Sequence, residues 1–330
     1  MSFITNIRSV AKYESKILVR SWFFRIFTLL AVVFLGFFNF AMMLMEDNFG
    51  LWFAKSVSSN IPYLNLLLLN TGQAVVAVFL SSEFLKRDKK LDTSEVFYVR
   101  PLSNAEYVVG KIWGNLRVFL FLNLLVLAIV LAFNFMASGV TVDLPAYLIY
   151  FFLISIPTLI FIIGLSIFLM LLLKNQALTF ILLLGYIGLT LFYIQDKFYY
   201  LFDYMVYNLP LFKSTIVGFS NLELILNHRA IYFFAGLGFI FFTIFLFKRL
   251  PNARRSHYPW LFLSFCMFLL MGTAGFRHVR SILREGEMRA LYTSINNKYV
   301  YEPKMAIDYY DISVEQKSET IRSVVGMEGT

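Results

Sequence analysis

LPAYLIYFFLISIPTLIFIIGLSIFLMLLL, residues 144–173, runs from Asp143 to Lys174 without a charged side chain. A hydrocarbon layer about 30 Å thick is crossed by roughly 20 apolar residues in helical form, so this stretch is long enough to span with tilt. Soluble helices keep a polar face; this one has none. The same rule finds six more runs bounded by charged or turn residues: Trp22–Met45, Pro62–Leu85, Ile112–Met136, Ala177–Ile194, Ala230–Phe247 and Tyr258–Phe276. All seven are expected to be helices, because a lone strand in lipid leaves its backbone N–H and C=O groups unpaired.

Composition points the same way. Of the 330 residues, 59% are apolar and 15% charged, against roughly 25% charged in soluble domains, and the mean hydropathy is +0.71. The expected class is an all-α integral membrane protein. A formal charge of +9 would suit nucleic acid if the basic residues formed one stripe. They gather instead at the ends of apolar runs, so no nucleic-acid partner is expected and the lipid bilayer is. Cys266 stands alone, which leaves no disulfide or cysteine metal site within the chain. The first apolar run is longer than the core of a signal peptide and lacks a small-residue cleavage site, so it reads as a retained span.

Lys and Arg in short loops mark the cytoplasmic side. Arg8, Lys12, Lys16 and Arg20 precede the first run, and Lys86, Arg87, Lys89, Lys90 and Arg100 follow the second. Lys248, Arg249, Arg254 and Arg255 follow the sixth, making residues 249–257 a basic loop. Seven spans put these groups on one side, opposite residues 46–61 with Lys55 alone and residues 137–143 with no basic residue. A multi-pass protein of the cell membrane is expected, with a cytoplasmic amino terminus and an extracytoplasmic tail, residues 277–330. Arg277, Arg280, Arg284 and Arg289 stand against that placement of the tail, but long tails cross largely regardless of charge.

Residues 1–21 place Phe3, Ile7, Val10, Ala11, Ile17 and Leu18 near one helical face, as in a helix lying on the membrane surface. Residues 195–229 carry Phe198, Tyr199, Tyr200, Phe202, Tyr204 and Tyr207, interrupted by Asp196, Asp203, Pro210 and Lys213. That loop reads as an interfacial helix or a re-entrant pair on the outer side. After the seventh span, Ser281–Ser294 is polar and helical in character. Ile307, Tyr309, Ile312 and Val314 then fall in short alternating runs of strand composition. One or two strands form no stable sheet alone, so the tail either pairs with another chain or begins a larger domain.

Residues with chemistry are few. His228, His257 and His278 lie near the expected span ends and form no metal-binding motif. Gly110-Lys111 lacks both the glycine at position 105, which is Ala, and the Ser or Thr at position 112, which is Ile, that a phosphate loop needs. No catalytic elbow or paired-carboxylate site is visible, and the chain is not expected to be an enzyme. Ionisable residues deep inside spans would mark an ion pathway, and none is expected there. The buried polar residues are amides and a hydroxyl: Asn39, Asn65, Asn70, Thr71, Gln73 and Asn123. Asn65, Asn70, Gln73 and Asn123 are candidates for a dimer interface or a substrate route, or simply join helices by hydrogen bonds. Pro157 is expected to kink the fourth span, freeing a carbonyl that a neighbour must satisfy.

Between the second and third spans lies SSEFLKRDKKLDTSEVFYVRPLSNAEYVVGKIWG, residues 81–114. It reads as a charged exit, a short helix near Asp92–Val99, a stop at Arg100-Pro101, and a new helix capped by Ser103 with Glu106 three residues on. In this order Glu83, Arg87, Asp88, Thr93, Glu95, Arg100, Pro101, Leu102, Ser103, Glu106, Tyr107, Gly110 and Lys111 resemble the loop of permease subunits of type-2 ATP-binding-cassette exporters. The surface helix before the first span looks like the elbow helix of that family, and the aromatic outer loop looks like its external re-entrant helices.

The resemblance covers residues 3–247 and implies a six-span permease domain, residues 22–248, in a homodimer or heterodimer. Each permease would sit on an ATP-binding-cassette ATPase subunit that holds ATP and Mg, with no cofactor on this chain. Glu83, Arg87, Asp88, Thr93, Glu95, Arg100, Pro101, Glu106 and Lys111, in the loop of residues 83–111, would then transmit closure of the ATPase to the spans. The seventh run, Tyr258–Phe276, departs from the six-span pattern. Some relatives with that layout continue into an external aminopeptidase-like domain, so a membrane anchor with little transport is the alternative to an exporter. A secondary transporter, with no visible repeat, comes third.

Overall fold

The computed structural model describes residues 3–44, 57–82, 102–136, 142–194, 196–209, 211, 213–214, 218–219, 221–247, 258–302, 307–317 and 320–329. In it, α1 (Phe3–Arg20) is separated by the single residue Ser21 from α2 (Trp22–Leu44). There follow α3 (Asn60–Ser82), α4 (Asn104–Met136), α5 (Leu144–Leu173), α6 (Gln176–Ile194), α7 (Leu222–Leu246) and α8 (Tyr258–Tyr299). From α2 to α8 these are seven helices long and apolar enough to cross a membrane, one for each expected run. β1 (Ile307–Lys317) and β2 (Thr320–Gly329) form an antiparallel hairpin, in the tail where strand composition was read.

Helix α4 starts where the capping box was read, and two other boundaries differ from expectation. Helix α4 begins at Asn104 because the capping box closes: the Glu106 N–H donates to Ser103 Oγ (3.2 Å) and the Ser103 N–H to Glu106 Oε2 (2.6 Å). Residues 104–111 are thus the first turns of α4 and not loop. Helix α7 begins at Leu222, not Ala230, so the last residues assigned to the outer loop are helical. Helix α8 passes Phe276 and ends at Tyr299, because no proline interrupts residues 277–299. The first part of the expected tail is therefore a helical extension of the seventh span.

Pro157 has the expected effect on α5. A π-helical turn, Phe151–Ser155, sits just ahead of it, and regular α-helix resumes at Ile156. Such turns arise where the i→i−4 ladder is interrupted.

The centre of the bundle is set by a close crossing of α5 and α7. A Cβ on Gly164 would lie 2.6 Å from the Gly236 carbonyl oxygen, and one on Gly236 would lie 2.7 Å from that of Ile160. Only hydrogen on both residues lets these backbones touch. Helix α8 lies against the far side of α7, where the Phe268 ring covers Gly238 and Ser264 Oγ donates to the Gly238 carbonyl (2.9 Å). Helices α2 and α6 lie at the periphery and leave Phe34, Phe37, Ile181 and Phe192 exposed, as lipid-facing helices do.

The hairpin has two unlike faces. Tyr310, Ile312 and Val314 stand opposite Met327, Val325 and Ser323, whereas Asp311, Ser313 and Glu315 stand opposite Gly326, Val324 and Arg322. Its apolar face is open among the described residues, with Ile312 58%, Val314 63% and Met327 60% exposed.

Candidate functional site

Of the residues assigned to coupling, Glu83, Arg87, Asp88, Thr93, Glu95, Arg100 and Pro101 lie outside the described residues. Glu106 and Lys111 are described, and both are buried where α1 lies on the first turns of α4. Small residues make that approach possible. Gly110 and Gly114 are so close to α1 that a Cβ on either would come within 2.7 Å of Val10 Cβ or Glu14 Cβ. Into this contact Lys111 Nζ reaches Glu14 Oε1 at 2.9 Å, with side chains 2% and 4% exposed. Glu106 Oε1 accepts from Asn6 Nδ2 (2.8 Å). Ser15 Oγ donates to the Gly114 carbonyl (2.7 Å), and Arg117 donates to Ser15 Oγ and, through Nη2, to the Ala11 carbonyl (2.9 Å). The result is a close joint in which α1, expected to lie on a membrane surface, instead runs side by side with the first turns of α4. At the same end, Asn104 Nδ2 donates to the Phe247 carbonyl, and the Tyr107 and Phe247 rings stack at 5.5 Å.

The amides meet one another inside the protomer. Asn39 and Asn65 form a reciprocal pair between α2 and α3, at 2.7 and 3.1 Å. Deeper in, Asn70 Nδ2 donates to Asn123 Oδ1 (3.1 Å), Ser155 Oγ donates to the same oxygen (2.8 Å), and Asn123 Nδ2 donates to Gln73 Oε1 (2.8 Å). Asn65, Asn70, Gln73, Asn123 and Ser155 are all buried, so this network ties α3, α4 and α5 together. Asn70 Oδ1 and Gln73 Nε2 make no hydrogen bond to any described residue. An acceptor and a donor thus stand three residues apart on α3.

A third cluster lies in the aromatic segment read as an interfacial helix or a re-entrant pair, and the helix side chains that hold it were not anticipated. Residues 199–209 and Leu211 enter the bundle end between α3, α5, α7 and α8, burying Tyr204, Met205, Val206, Leu209 and Leu211. This segment is an irregular re-entrant loop with one short 3₁₀ turn, Phe198–Tyr200. Being irregular, it offers carbonyls that side chains from the helices take up. Tyr150 Oη donates to Leu211 O (2.6 Å), Tyr63 Oη to Val206 O (3.3 Å), and Tyr232 Oη to Leu201 O. His228 Nε2 and His278 Nε2 meet the Tyr200 and Tyr199 carbonyls at 3.0 and 2.9 Å. A carbonyl can only accept, so both imidazoles carry their proton on Nε2.

Arg229 sits at the middle of this latch and is 3% exposed. Its Nε donates to Leu153 O (2.6 Å), Nη1 to Tyr204 O (2.8 Å), and Nη2 to Thr158 Oγ1 (2.8 Å) and Ile154 O (3.3 Å). The planar five-donor fork suits a divergent set of fixed oxygens. Asp203 closes the loop on itself by accepting the N–H groups of Asn208 (2.8 Å) and Tyr207 (2.9 Å). Burial raises its carboxyl above the ordinary range, against those two N–H groups and the Arg229 charge, which pull it down. Val206 is held at φ 65°, a strained value for a β-branched residue. Nearby, Lys213 Nζ reaches Asp143 Oδ2 at 2.7 Å.

The expectation of no ionisable residue deep inside the spans is therefore corrected by Arg229, buried within α7. Placing α7 from Ala230 left Arg229 in a loop; its neighbour His228 was the signal available, since two polar residues in an apolar setting demand partners. No group of three or more His, Cys, Asp or Glu that could hold a metal occurs among the described residues. No protein-family model matches the chain, and no curated protein matches it either.

Proposed function

We propose that this chain is the membrane-spanning subunit of an ATP-driven exporter, resembling type-2 ATP-binding-cassette permeases, and that it works with a separate ATPase subunit holding ATP and Mg. The observation that carries this reading is the α1–α4 joint. A helix bolted along the first turns of α4 by a buried ion pair moves with α4, so a push on one reaches the bundle. The latch at residues 199–211 supplies the opposite end. Its docking rests on buried apolar side chains together with hydrogen bonds from the helices to loop carbonyls. Between the two ends, Asn70 Oδ1 and Gln73 Nε2 offer an acceptor and a donor to a polar group on a substrate. Pairing as a homodimer or heterodimer completes the reading. Purification from native membranes in mild detergent tests it: an ATPase subunit with a phosphate loop is expected to accompany the chain. Its absence, with the chain intact, overturns the exporter reading.

Two observations favour a second reading. The helical extension after Phe276 and the hairpin with an open apolar face fit an anchor for an extracytoplasmic domain. An anchored enzyme would keep its activity when Lys111 is changed to Met; an exporter would lose ATP-driven transport.

A further inference from the structure

We propose that His228 is an acid-sensitive catch for the re-entrant loop, holding it docked while the imidazole is neutral and releasing it when the ring takes up a proton. The exporter reading is not required. The turn that His228 holds is strained. Phe198, Tyr199 and Tyr200 stand in succession at φ 51°, 59° and 62°, left-handed geometry that is unfavourable for residues with a side chain. The carbonyls of Tyr199 and Tyr200 are the two that His278 and His228 engage through Nε2–H. A strained turn keeps its geometry only while its surroundings hold it there.

The other ring nitrogen decides the response to acid. His228 and His278 are both fully buried, with ring centroids 5.1 Å apart, and neither Nδ1 makes a hydrogen bond among the described residues. A proton added there gives a buried N–H without an acceptor, on a ring that now carries charge. His278 Nδ1 has the Leu224 backbone of α7 beside it; among the described residues nothing comparable stands beside His228 Nδ1. The charges around His228 oppose another of the same sign. The Tyr232 ring lies 5.3 Å from the His228 ring and 5.7 Å from the Arg229 guanidinium, so both border one phenol. From α8 the facing titratable group is His278, and the carboxylate of the loop, Asp203, faces Arg229. Helices α3 and α5 carry no charged side chain, and Glu223, Arg277 and Arg280 are exposed. The docked loop therefore excludes a proton that the released loop accepts, and by linkage acid favours release.

The full chain in lipid nanodiscs, with Cys266 replaced by Ser and a spin label at Phe202, tests this. As pH falls from about 7 to about 5, the ratio of mobile to immobile label is expected to rise by up to about tenfold per pH unit. H228Q keeps an N–H near the place of Nε2 but takes up no proton, and its loop is expected to stay docked throughout. H278Q is expected to weaken the rise without abolishing it, and D203N to keep it. If H228Q does not fold, ¹⁵N-histidine spectra of the wild type, which has only three histidines, carry the test. His228 is then expected to hold its proton on Nε2 alone at neutral pH and to become imidazolium only as the label is freed. Label mobility flat with pH, the same rise in H228Q, or a His228 imidazolium with the loop still docked overturns the proposal.

Discussion

Arg229 donates its Nε–H to the carbonyl of Leu153 at 2.6 Å, the oxygen four residues before Pro157, where a helical N–H would otherwise have pointed. Proline has no N–H to give. The break in α5 and the buried arginine on α7 are thus two halves of one arrangement. The same guanidinium carries the loop through Tyr204 O, so the kink, the crossing of α5 with α7 and the latch are locked together.

R229L leaves several buried carbonyls unpaired and is expected to cost about 2–4 kcal/mol, lowering the melting temperature by roughly 5–10 °C. Thiol-reactive dye at the single cysteine, Cys266, reports the unfolding. R229K is expected to recover only part of the loss, since an ammonium lacks the planar fork. P157A returns an N–H to α5, so P157A/R229L is expected to be more stable than R229L alone. Strict additivity would break the link between the two residues.

K111M removes the cation beside the buried Glu14 carboxylate, a change expected to cost about 3–5 kcal/mol. E14M/K111M removes both charges and is expected to cost less than either single change. The same thermal assay measures it, and a double variant no better than its parents would count against the pair.

How much of this was legible beforehand follows from what each feature depends on. Spans depend on composition over some twenty residues, and the uncharged stretch 144–173 shows it plainly. The capping box at Ser103 and the break at Pro157 depend on residues three or four apart, and both were readable. Arg229 was not, because Leu222–Arg229 carries Glu223, Asn227 and His228, a polar run resembling loop until their partners are seen. The helical character of Ser281–Ser294 was readable, but not its continuity with the seventh run, because a span ends with its hydropathy while a helix ends only where something stops it. Asn70, Gln73 and Asn123 were identifiable as candidates. Which amide meets which depends on helix register, and no local pattern records that.

N123A removes an oxygen shared by Asn70 and Ser155 and a donor to Gln73. Intramembrane polar contacts average about 0.6 kcal/mol, so a loss of roughly 1–2 kcal/mol is expected. A stability change of that size appearing in N70A, Q73A and N123A alike marks the network as one unit; independent effects that sum would not.

Asp203 gives the latch a pH dependence. Its carboxyl holds a proton more tightly when folded than at the ordinary value of 3.8, so the folded state binds more protons between the two values. Stability from this group is therefore greatest below 3.8 and declines as pH rises through the higher folded value. D203N cannot lose a proton, and its melting temperature is expected to gain on the wild type as pH rises from about 4 to 8. Parallel curves would place the pH response elsewhere.

The most direct measurement of the central claim, that a push on α1 reaches the latch, is a distance between them. Spin labels at Ser9 and Phe202, with Cys266 replaced by Ser, report it by pulsed electron resonance in the complex purified with its ATPase. ATP with vanadate is expected to shift the distance distribution in the wild type and to leave it unchanged in E14M/K111M. A distribution indifferent to ATP in the wild type, or an equal shift in the variant, would contradict the account.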